Sequence, residues 1–523
     1  MSKIKNGDGG MFCRQCEEAR HGTGCVQGGA CGKDKELSNA MDLLVETLIS
    51  LSEAGGTPGA DPKDIDGRIA RGLFMTMTNA NFDVRRIAKE AESNEALLPQ
   101  ASRKPARAGP PYDADPDLGS LKELLLCGVK GLAAYYYHAT VLGHFDKDVE
   151  AFMRRGLAAL RQNLSADDLV SLNMECGKVG AAALALLDKA NTEAYGIPAV
   201  ANVATAPGSR PGILVTGHDL KDLKMILEQS EGSGVDVYTH GEMLPAHAYP
   251  GLRAYGHLVG NYGNAWHMQR SEFRKFNGPI VATTNCVLLP DASYVGRLFT
   301  TGPAGIPGAR HIPADAHGNR DFREVVEAAK RSDPPEAIDD FVLTVGFGHD
   351  AVLSLADKIV GAVKAGAIKR FVVMAGCDGR EEGRSYYADF AAALPEDAVV
   401  LTAGCAKYRY NKLDLGDIGG IPRVIDAGQC NDCYSLVVIA SALAEAFGTD
   451  VNGLPLSFNI AWYEQKACLV LLTLLSLGVK DVMLGPRLPE FVTPGVLKVL
   501  AGSFGIRANG AVDEDMKILN IGG

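Results

Sequence analysis

The sequence predicts a helical domain followed by two α/β domains with Rossmann-like parallel sheets, on three observations. Residues 36 to about 195 carry apolar side chains at three- and four-residue intervals, broken by turn-rich segments. From residue 212 the texture changes to strand, turn and helix in alternation. The short runs rich in Val, Ile and Leu found there show little polar alternation, as expected of strands covered on both faces of a parallel sheet. A chain of 523 residues is too long for one ordinary core, and roughly two to four domains are expected. The expected divisions are residues 1–205, 206–338 and 339–523, with the principal site at the interface of the last two.

In chain order, helices are expected at NAMDLLVETLISLSEA, GRIARGLFMTMTNANFDVRRIAKEAE, SLKELLLCGVKGLAAYYYHATVL, VEAFMRRGLAALRQN and ADDLVSLNMECGKVGAAALALLDKA. AGGTPGADPKD and the Pro-rich LPQASRKPARAGPPYDADPDLG between them read as loops, and YGIPAVANVATAPGSRPG (195–212) reads as a boundary. GILVTG, VDVYTHGE and PIVATTNC are the strands of the first α/β domain. RSDPPEAIDD (331–340) is a second break, after which FVLTVGFG, RFVVMAGC, AVVLTAGC and RVIDAGQC supply the second. Both α/β domains open with an apolar strand running into Gly-His-Asp, at 217–219 and 348–350. Asp219 and Asp350 are the natural N-caps of the helices that follow, a weak sign of duplication.

Composition narrows the classes. A hydrophobic share of 46% with 22% charged residues is globular, and a net charge of −11 argues against a nucleic-acid surface. MSKIKNGDGGMF does not resemble a signal peptide, and ACLVLLTLLSLGV (467–479) is too short for a bilayer span and reads as a buried helix. A soluble, cytoplasmic protein without membrane partners is expected. In a reducing compartment twelve cysteines point to metal or redox chemistry rather than disulfides.

Residues 13–31, CRQCEEARHGTGCVQGGAC, place Cys13, Cys16, Cys25 and Cys31 in a C-x2-C-x8-C-x5-C array on a loop made pliable by Gly22, Gly24, Gly28 and Gly29. Four thiolates so spaced wrap one tetrahedral zinc or one iron–sulfur cluster, and spacing alone leaves both open. A second set lies at strand ends. Cys286, Cys377, Cys405 and Cys430 each close an apolar run, GILVTGH ends on His218, and VDVYTHGE runs through His240 to Glu242. One cysteine closing a strand is ordinarily a small buried hydrophobe. Four at equivalent ends, where open α/β sheets collect ligands, form a pattern. Cys430 and Cys433 also invite a C-x2-C zinc reading. Cys127, Cys176 and Cys468 sit inside apolar helical patterns and read as core. FNIAWYEQKACLV adds Glu464 and Lys466 beside Trp462 and Tyr463. Thiolates favour iron–sulfur chemistry, while imidazole and carboxylate suit an iron left open to substrate.

CRQCEEARHGTGC, GHDLKDL, VYTHGEMLPAH, GNYGNAW, TTNC, GCDGR, AGCAKYRYNKLDLGDIGGIPRVIDAGQCNDCYS and AWYEQKA together resemble the hybrid-cluster, or prismane, protein family, known as hydroxylamine reductases. The resemblance runs from Phe12 to beyond Lys466. It implies a 4Fe-4S cluster on Cys13, Cys16, Cys25 and Cys31, since the family's 2Fe-2S branch has wider spacing after its second cysteine. It further implies a hybrid 4Fe-2O-2S cluster held by His218, Glu242, Cys286, Cys377, Cys405, Cys430 and Glu464, with Lys466 beside it and Cys377 as the persulfide-bearing cysteine. Cys433 is no ligand in that pattern, which overrules the zinc reading. The chain departs from the family in a ten-residue extension before Met11 and a somewhat short helical domain.

The expected activity is reduction of hydroxylamine to ammonia and water. An external electron donor protein feeds the N-terminal cluster, and His240 and Lys466 serve as proton donors beside Cys377 and Glu464. The alternatives are reduction of nitric oxide to N2O at the same site, and a non-catalytic nitric oxide sensor or protein S-nitrosylase. GFGHDA (346–351) fits G-x-G-x-x-A and raises a nicotinamide or flavin enzyme, but AGAIKR stands where an acidic ribose ligand is wanted.

Overall fold

Asp or Ser caps punctuate the helical region. The computed structural model describes residues 10–19, 24–55, 61–99, 102 and 112–522. Residues 1–9 of the N-terminal extension, Gly22, part of AGGTPGADPKD and half of the Pro-rich segment lie outside the described residues. Helices α1 (Lys35–Ala54), α2 (Pro62–Met75), α3 (Val84–Glu95), α4 (Pro116–Val141), α5 (Lys147–Ala159) and α6 (Ala166–Tyr195) follow in turn. Asp34, Asp61, Asp83, Asp115 and Asp146 each accept a backbone N–H at the start of the first five. Ser165 with Asp168 forms a capping box on α6.

The expected single helix over residues 67–92 is in fact two, because the chain stops at Met75 and restarts at Asp83. The interruption has a use. Thr78 N donates to Gln465 Oε1 (3.2 Å), Asn79 Nδ2 to Tyr463 Oη (3.2 Å) and Asn81 Nδ2 to the Pro303 carbonyl (2.9 Å), so the break brings polar side chains to the strand ends. Apolar spacing alone carried no sign of this, because Met75 and Phe82 stand at helical spacing across the turn.

The first sheet comprises β2 (Gly212–Thr216), β3 (Asp236–His240), β4 (Leu258–Asn261), β5 (Ile280–Ala282), β6 (Leu298–Thr300) and β7 (Arg310–His311), following β1 (Ala201–Ala204), which lies outside it. All its pairings are parallel, in the order β4-β3-β2-β5-β6-β7. Helices α7 (Leu220–Ser230), α8 (Pro250–Arg253), α9 (Gln269–Lys275) and α10 (Arg323–Ala329) connect or flank these strands. β8 (Val342–Val345) precedes α11 (His349–Leu353), α12 (Ala356–Lys364), β9 (Arg370–Val373), α13 (Ser385–Ala392) and β10 (Ala398–Thr402). The hairpin β11 (Asp417–Ile418) and β12 (Ile421–Pro422) leads to β13 (Val424–Asp426), α14 (Cys433–Phe447), β14 (Leu456–Ala461), α15 (Gln465–Ser476), β15 (Val482–Gly485), α16 (Pro494–Phe504), β16 (Arg507–Ala508) and α17 (Val512–Ile518). The second sheet is also parallel, in the order β13-β10-β9-β14-β15-β16.

FVLTVGFG corrects the expected duplication. Its strand, β8, stays out of the second sheet and pairs antiparallel with β1, which lies inside the expected boundary segment. Phe341 and Val342 are exposed, unlike the fully buried β2. Asp219 caps α7 as expected, accepting from Lys221 N and Asp222 N, but Asp350 lies inside α11, whose cap is Gly348 with no side-chain bond. The two Gly-His-Asp segments are therefore not structural equivalents.

Apolar helix α15 crosses from the second sheet into the helical layer and packs between α4 and α6. Small residues let it in: a Cβ on Gly131 would meet the Gln465 carbonyl oxygen at 2.6 Å, and one on Gly177 would collide with the Leu472 carbonyl. Ala166–Tyr195 and Cys430–Phe447 have the length and composition of a membrane span; the first packs along α4 and α15, and the second contacts α11 and β10.

Candidate functional site

Both sheets reverse their strand order beside the first strand they use, and ligands in such sheets collect beyond the carboxyl ends at that reversal. In the first sheet the reversal lies between β2 and β5, whose ends lead to His218 and Cys286, with Glu242 beyond neighbouring β3. In the second it lies between β9 and β14, which lead to Cys377 and Glu464, with Cys405 and Cys430 beyond β10 and β13. The two reversals face each other across bonds that join the sheets. Cys430 N donates to Glu242 Oε2 (2.7 Å), and Gln429 Nε2 to the carbonyls of Glu242 (2.7 Å) and His218 (3.3 Å). Tyr408 Oη donates to the Gly241 carbonyl (2.8 Å), and Trp266 Nε1 to that of Asp378 (3.0 Å).

A sharp backbone turn follows each strand. Gly376 (φ 115°) and Gly404 (φ 89°) precede Cys377 and Cys405 in a region L side chains avoid, and a Cβ on either would strike the backbone of the adjacent strand end, at Ala461 or Gly376. Cys286 has no such glycine and itself adopts φ 68°. Non-glycine residues so held cost of order 1–3 kcal/mol and cluster at functional sites.

His218 Nδ1 lies 2.8 Å from Thr284 Oγ1, which leaves Nε2 as its ligand face. Suitable donor atoms of His218, Glu242 and Cys430 lie within 4.8 Å of one another. Lys466 Nζ is 3.0 Å from His218 Nε2, donates to Asn285 Oδ1 at 3.0 Å, and stands 4.0 Å from Glu464. Cys286, Cys377, Cys405, Glu242 and Lys466 share the same enclosed region, where Cys405, Trp266 and Tyr463 pack with Cys286 and Cys377.

The electrostatics suit a metal. Burial raises the thiols of Cys286, Cys377 and Cys405 well above the ordinary value and pushes Cys430 up to about 12; it also raises Glu242 and Glu464. Burial, then the Lys466 charge, lowers His218 far below the usual imidazole range. Burial opposes the Lys466 ammonium too, but Cys430, Glu464, Cys286 and Glu242 outweigh it and hold its pKa above normal. Four acidic donors thus act on one ammonium, and Glu242 Oε1 is buried with no partner at hydrogen-bond distance among the described residues. Buried charges persist only when paired or bound to metal, so mixed thiolate, imidazole and carboxylate donors fit a polynuclear iron centre.

His240, expected as a proton donor, has partners on both ring nitrogens. It is fully buried, with Nδ1 3.1 Å from Thr216 Oγ1 and Nε2 3.0 Å from Glu272 Oε2, so both ring nitrogens are committed. Cys433 opens α14 with its thiol toward the Asn431 carbonyl (3.8 Å) and is absent from the donor group that contains Cys430. His349 bonds Ser435 Oγ (3.1 Å), away from the site, and Cys127, Cys176 and Cys468 are buried.

The N-terminal cysteines lie near one another on one loop. Cys13 and Cys25 pair across an antiparallel bridge (3.0 and 2.8 Å). Burial, then the charges of Cys13 and Cys31, raise Cys16. Buried Lys33 places Nζ 3.6 Å from Cys13 Sγ, and despite burial the thiolates of Cys13 and Cys31 raise its pKa. A Cβ on Gly29 would approach Cys31 Sγ to 3.0 Å, so the loop closes tightly on its thiols. This loop is fastened to the strand-end site. Glu17 N donates to the Tyr463 carbonyl (3.0 Å) and Gln465 Nε2 to that of Gln15 (3.2 Å). Fully buried Arg384 pairs with fully buried Glu17 and also donates to the Cys377 carbonyl (3.0 Å). Arg380 pairs with Glu18 on the same loop.

Sequence reasoning passed over Thr78, Asn79, Tyr135, His138, Thr284, Asn285 and Gln429. TTNC and GQCNDC contained three of them beside quoted cysteines, and YYYH, polar rings inside an apolar helix, was the available signal for two more.

The model of the Prismane/CO dehydrogenase family matches residues 11–517. The chain is 52% identical over 539 residues to the hydroxylamine reductase of Methanosarcina mazei, covering 97% of this chain and 100% of that one. It is 52% identical over 546 residues to the hydroxylamine reductase of Porphyromonas gingivalis (97% and 99%) and 51% over 539 residues to that of Chlorobaculum tepidum (98% and 100%). Among solved structures, carbon monoxide dehydrogenase from Thermococcus sp. AM4 superposes with TM-score 0.56 at 18% identity, covering 98% of this chain and 90% of that chain. Carbon monoxide dehydrogenase IV from Carboxydothermus hydrogenoformans superposes with TM-score 0.59 at 17% identity (99% and 93%). These two show a shared multidomain fold.

Proposed function

The chain belongs to the Prismane/CO dehydrogenase family, and from that premise we propose that it is an iron–sulfur oxidoreductase that reduces hydroxylamine to ammonia and water. The observation that supports the reading is the gathering of His218, Glu242, Cys286, Cys377, Cys405, Cys430 and Glu464 beyond two facing switch points, with Cys430, Glu464, Cys286 and Glu242 acting on one buried ammonium. In this reading those seven residues hold a hybrid 4Fe-2O-2S cluster, and Cys13, Cys16, Cys25 and Cys31 hold a 4Fe-4S cluster that receives electrons from an external donor protein. When bound, the clusters supply electrons and a Lewis-acidic iron.

The overall change is NH2OH plus two electrons and two protons giving NH3 and H2O. Lys466 is the proton-holding group at the site, and its raised pKa keeps it charged at neutral pH. Its bond to Asn285 aims the ammonium, and its place two residues after Glu464, whose side chain accepts Lys466 N at 3.0 Å, fixes the stem. Trp266 and Tyr463, both buried, keep bulk water from the same wall. Cys377, partly exposed at the mouth of β9, is the cysteine that carries an exchangeable second sulfur in this proposal.

A second reading, reduction of nitric oxide to N2O, draws support from an apolar cavity of about 140 Å³ between α14, α15 and the second sheet. It reaches Cys433, three residues from Cys430, and suits a small apolar molecule better than hydroxylamine.

Anaerobically purified protein should carry about eight iron atoms per chain and no stoichiometric zinc, with two distinct electron paramagnetic resonance signals. Reduced dye plus hydroxylamine should yield ammonia one for one. Zinc in the N-terminal array would defeat the 4Fe-4S assignment, and N2O from nitric oxide at a much higher kcat/KM than ammonia from hydroxylamine would favour the second reading.

A further inference from the structure

Helix α4 brings two polar side chains to the wall of the strand-end site that the donor set leaves unused. Tyr135 is 2% exposed and His138 8% exposed, and neither Tyr135 Oη nor His138 Nε2 has a hydrogen-bond partner among the described residues. A buried hydroxyl left unpaired is costly, so its presence at this wall calls for a ligand or a charge to bond.

The surroundings of Tyr135 identify that partner. Short of full hydrogen-bond geometry, its hydroxyl lies against the Cys430 thiol closely enough to interact with it, with Cys433 and Glu464 nearby, and Lys466 Nζ stands 5.8 Å from its ring centroid. The Cys433 thiol is already turned to a carbonyl, whereas Cys430 belongs to the donor group with His218 and Glu242. Tyr135 is also held firmly. One turn earlier on the same helix face, Gly131 lies against the Gln465 carbonyl and the Lys466 backbone, so α4 cannot rotate the ring away without leaving α15.

We infer that Tyr135 is a positioning residue whose hydroxyl donates a hydrogen bond to the sulfur of Cys430 when that sulfur is a metal ligand. This rests on the proposed reading of Cys430 as an iron ligand. Hydrogen bonds to ligating sulfurs withdraw negative charge from the centre and favour its reduced state, so the hydroxyl raises the reduction potential. The phenol itself is neither oxidised nor deprotonated.

The test uses the full-length, iron-loaded protein. Tyr135→Phe removes only the hydroxyl. It should leave iron content unchanged, move the midpoint potential of the strand-end cluster to a more negative value in a redox titration followed by electron paramagnetic resonance, and lower kcat for hydroxylamine several-fold with KM little altered. Tyr136→Phe, whose hydroxyl bonds Glu150 at 2.7 Å elsewhere on the helix, should move neither. Replacing Tyr135 with 3-fluorotyrosine keeps the ring and strengthens the donor, so it should shift the potential the opposite way, and it carries the test should Tyr135→Phe shed iron. Wild-type potential and spectrum in both Tyr135 variants would overturn the inference alone. Absence of iron from the wild-type strand-end site would remove the functional reading and this inference with it.

Discussion

Gly131 offers a test that separates the geometry of the site from its ligands. It touches no donor, yet a Cβ there would stand 2.6 Å from the Gln465 carbonyl oxygen, 2.9 Å from Leu469 Cβ and 3.1 Å from Lys466 Cα. Carbon–oxygen contacts settle at about 3.3 Å or more, so Gly131→Ala must push the start of α15 away by roughly 0.7 Å. That displacement moves Lys466 relative to His218 and Asn285, with which it now makes 3.0 Å contacts. Overpacking of this kind costs about 1–3 kcal/mol, while alanine's higher helix propensity returns about 1 kcal/mol, so the net loss of stability is about 0–2 kcal/mol. Catalysis should suffer more, since a misplacement approaching 1 Å costs up to about 100-fold. The expected result is a protein with full iron content, a denaturation midpoint near that of wild type and hydroxylamine turnover reduced about 10- to 100-fold. Gly128→Ala at the same crossing is the comparison, because its Cβ would meet the Cys176 thiol and a Leu472 methyl, side-chain ends able to swing aside. Wild-type turnover in Gly131→Ala, or an equal loss in Gly128→Ala, would refute the claim that α4 sets the position of Lys466.

Three further outcomes follow from the site. Cys16→Ser should remove the N-terminal cluster and spare the strand-end one, and activity with a protein electron donor should fall further than activity with a small dye; equal loss with both would make the N-terminal loop a structural clasp. His218→Ala should alter the strand-end cluster's spectrum while His349→Ala, bonded to Ser435 outside the site, leaves it unchanged, and spectra recorded side by side decide the matter. Cys377→Ser should retain most iron but lose hydroxylamine turnover by 100-fold or more, as about 2.7 kcal/mol of lost barrier lowering requires; wild-type turnover in an iron-replete variant would exclude a special role for this sulfur.

What the sequence made legible, and what it hid, divides along a physical line. Helices were visible because each carries its own cap and periodicity: Asp34, Asp115 and Ser165 announce α1, α4 and α6 within a few residues. Donor positions were visible because they belong to local backbone design, an apolar strand, then a glycine of positive φ, then the ligand, as in Gly217-His218, Gly241-Glu242, Gly376-Cys377 and Gly404-Cys405. Cys286 shows why the glycine is needed, since without one the cysteine itself takes the left-handed conformation. Strand order is not local. FVLTVGFG has the composition of a sheet strand, but only its partner β1, some 140 residues away in sequence, takes it out of the second sheet. The fate of a proton is still less local. His240 stands at the end of β3 where a donor was expected, and only Glu272, brought in by α9, takes its second nitrogen. Lys466 and Tyr135 gain their surroundings from the packing of α15 on α4, which no run of adjacent residues encodes. Candidate donors of a buried site can therefore be read from short motifs, whereas the groups packed around them depend on how distant elements meet. Substitutions such as Gly131→Ala test that second layer without altering a single ligand.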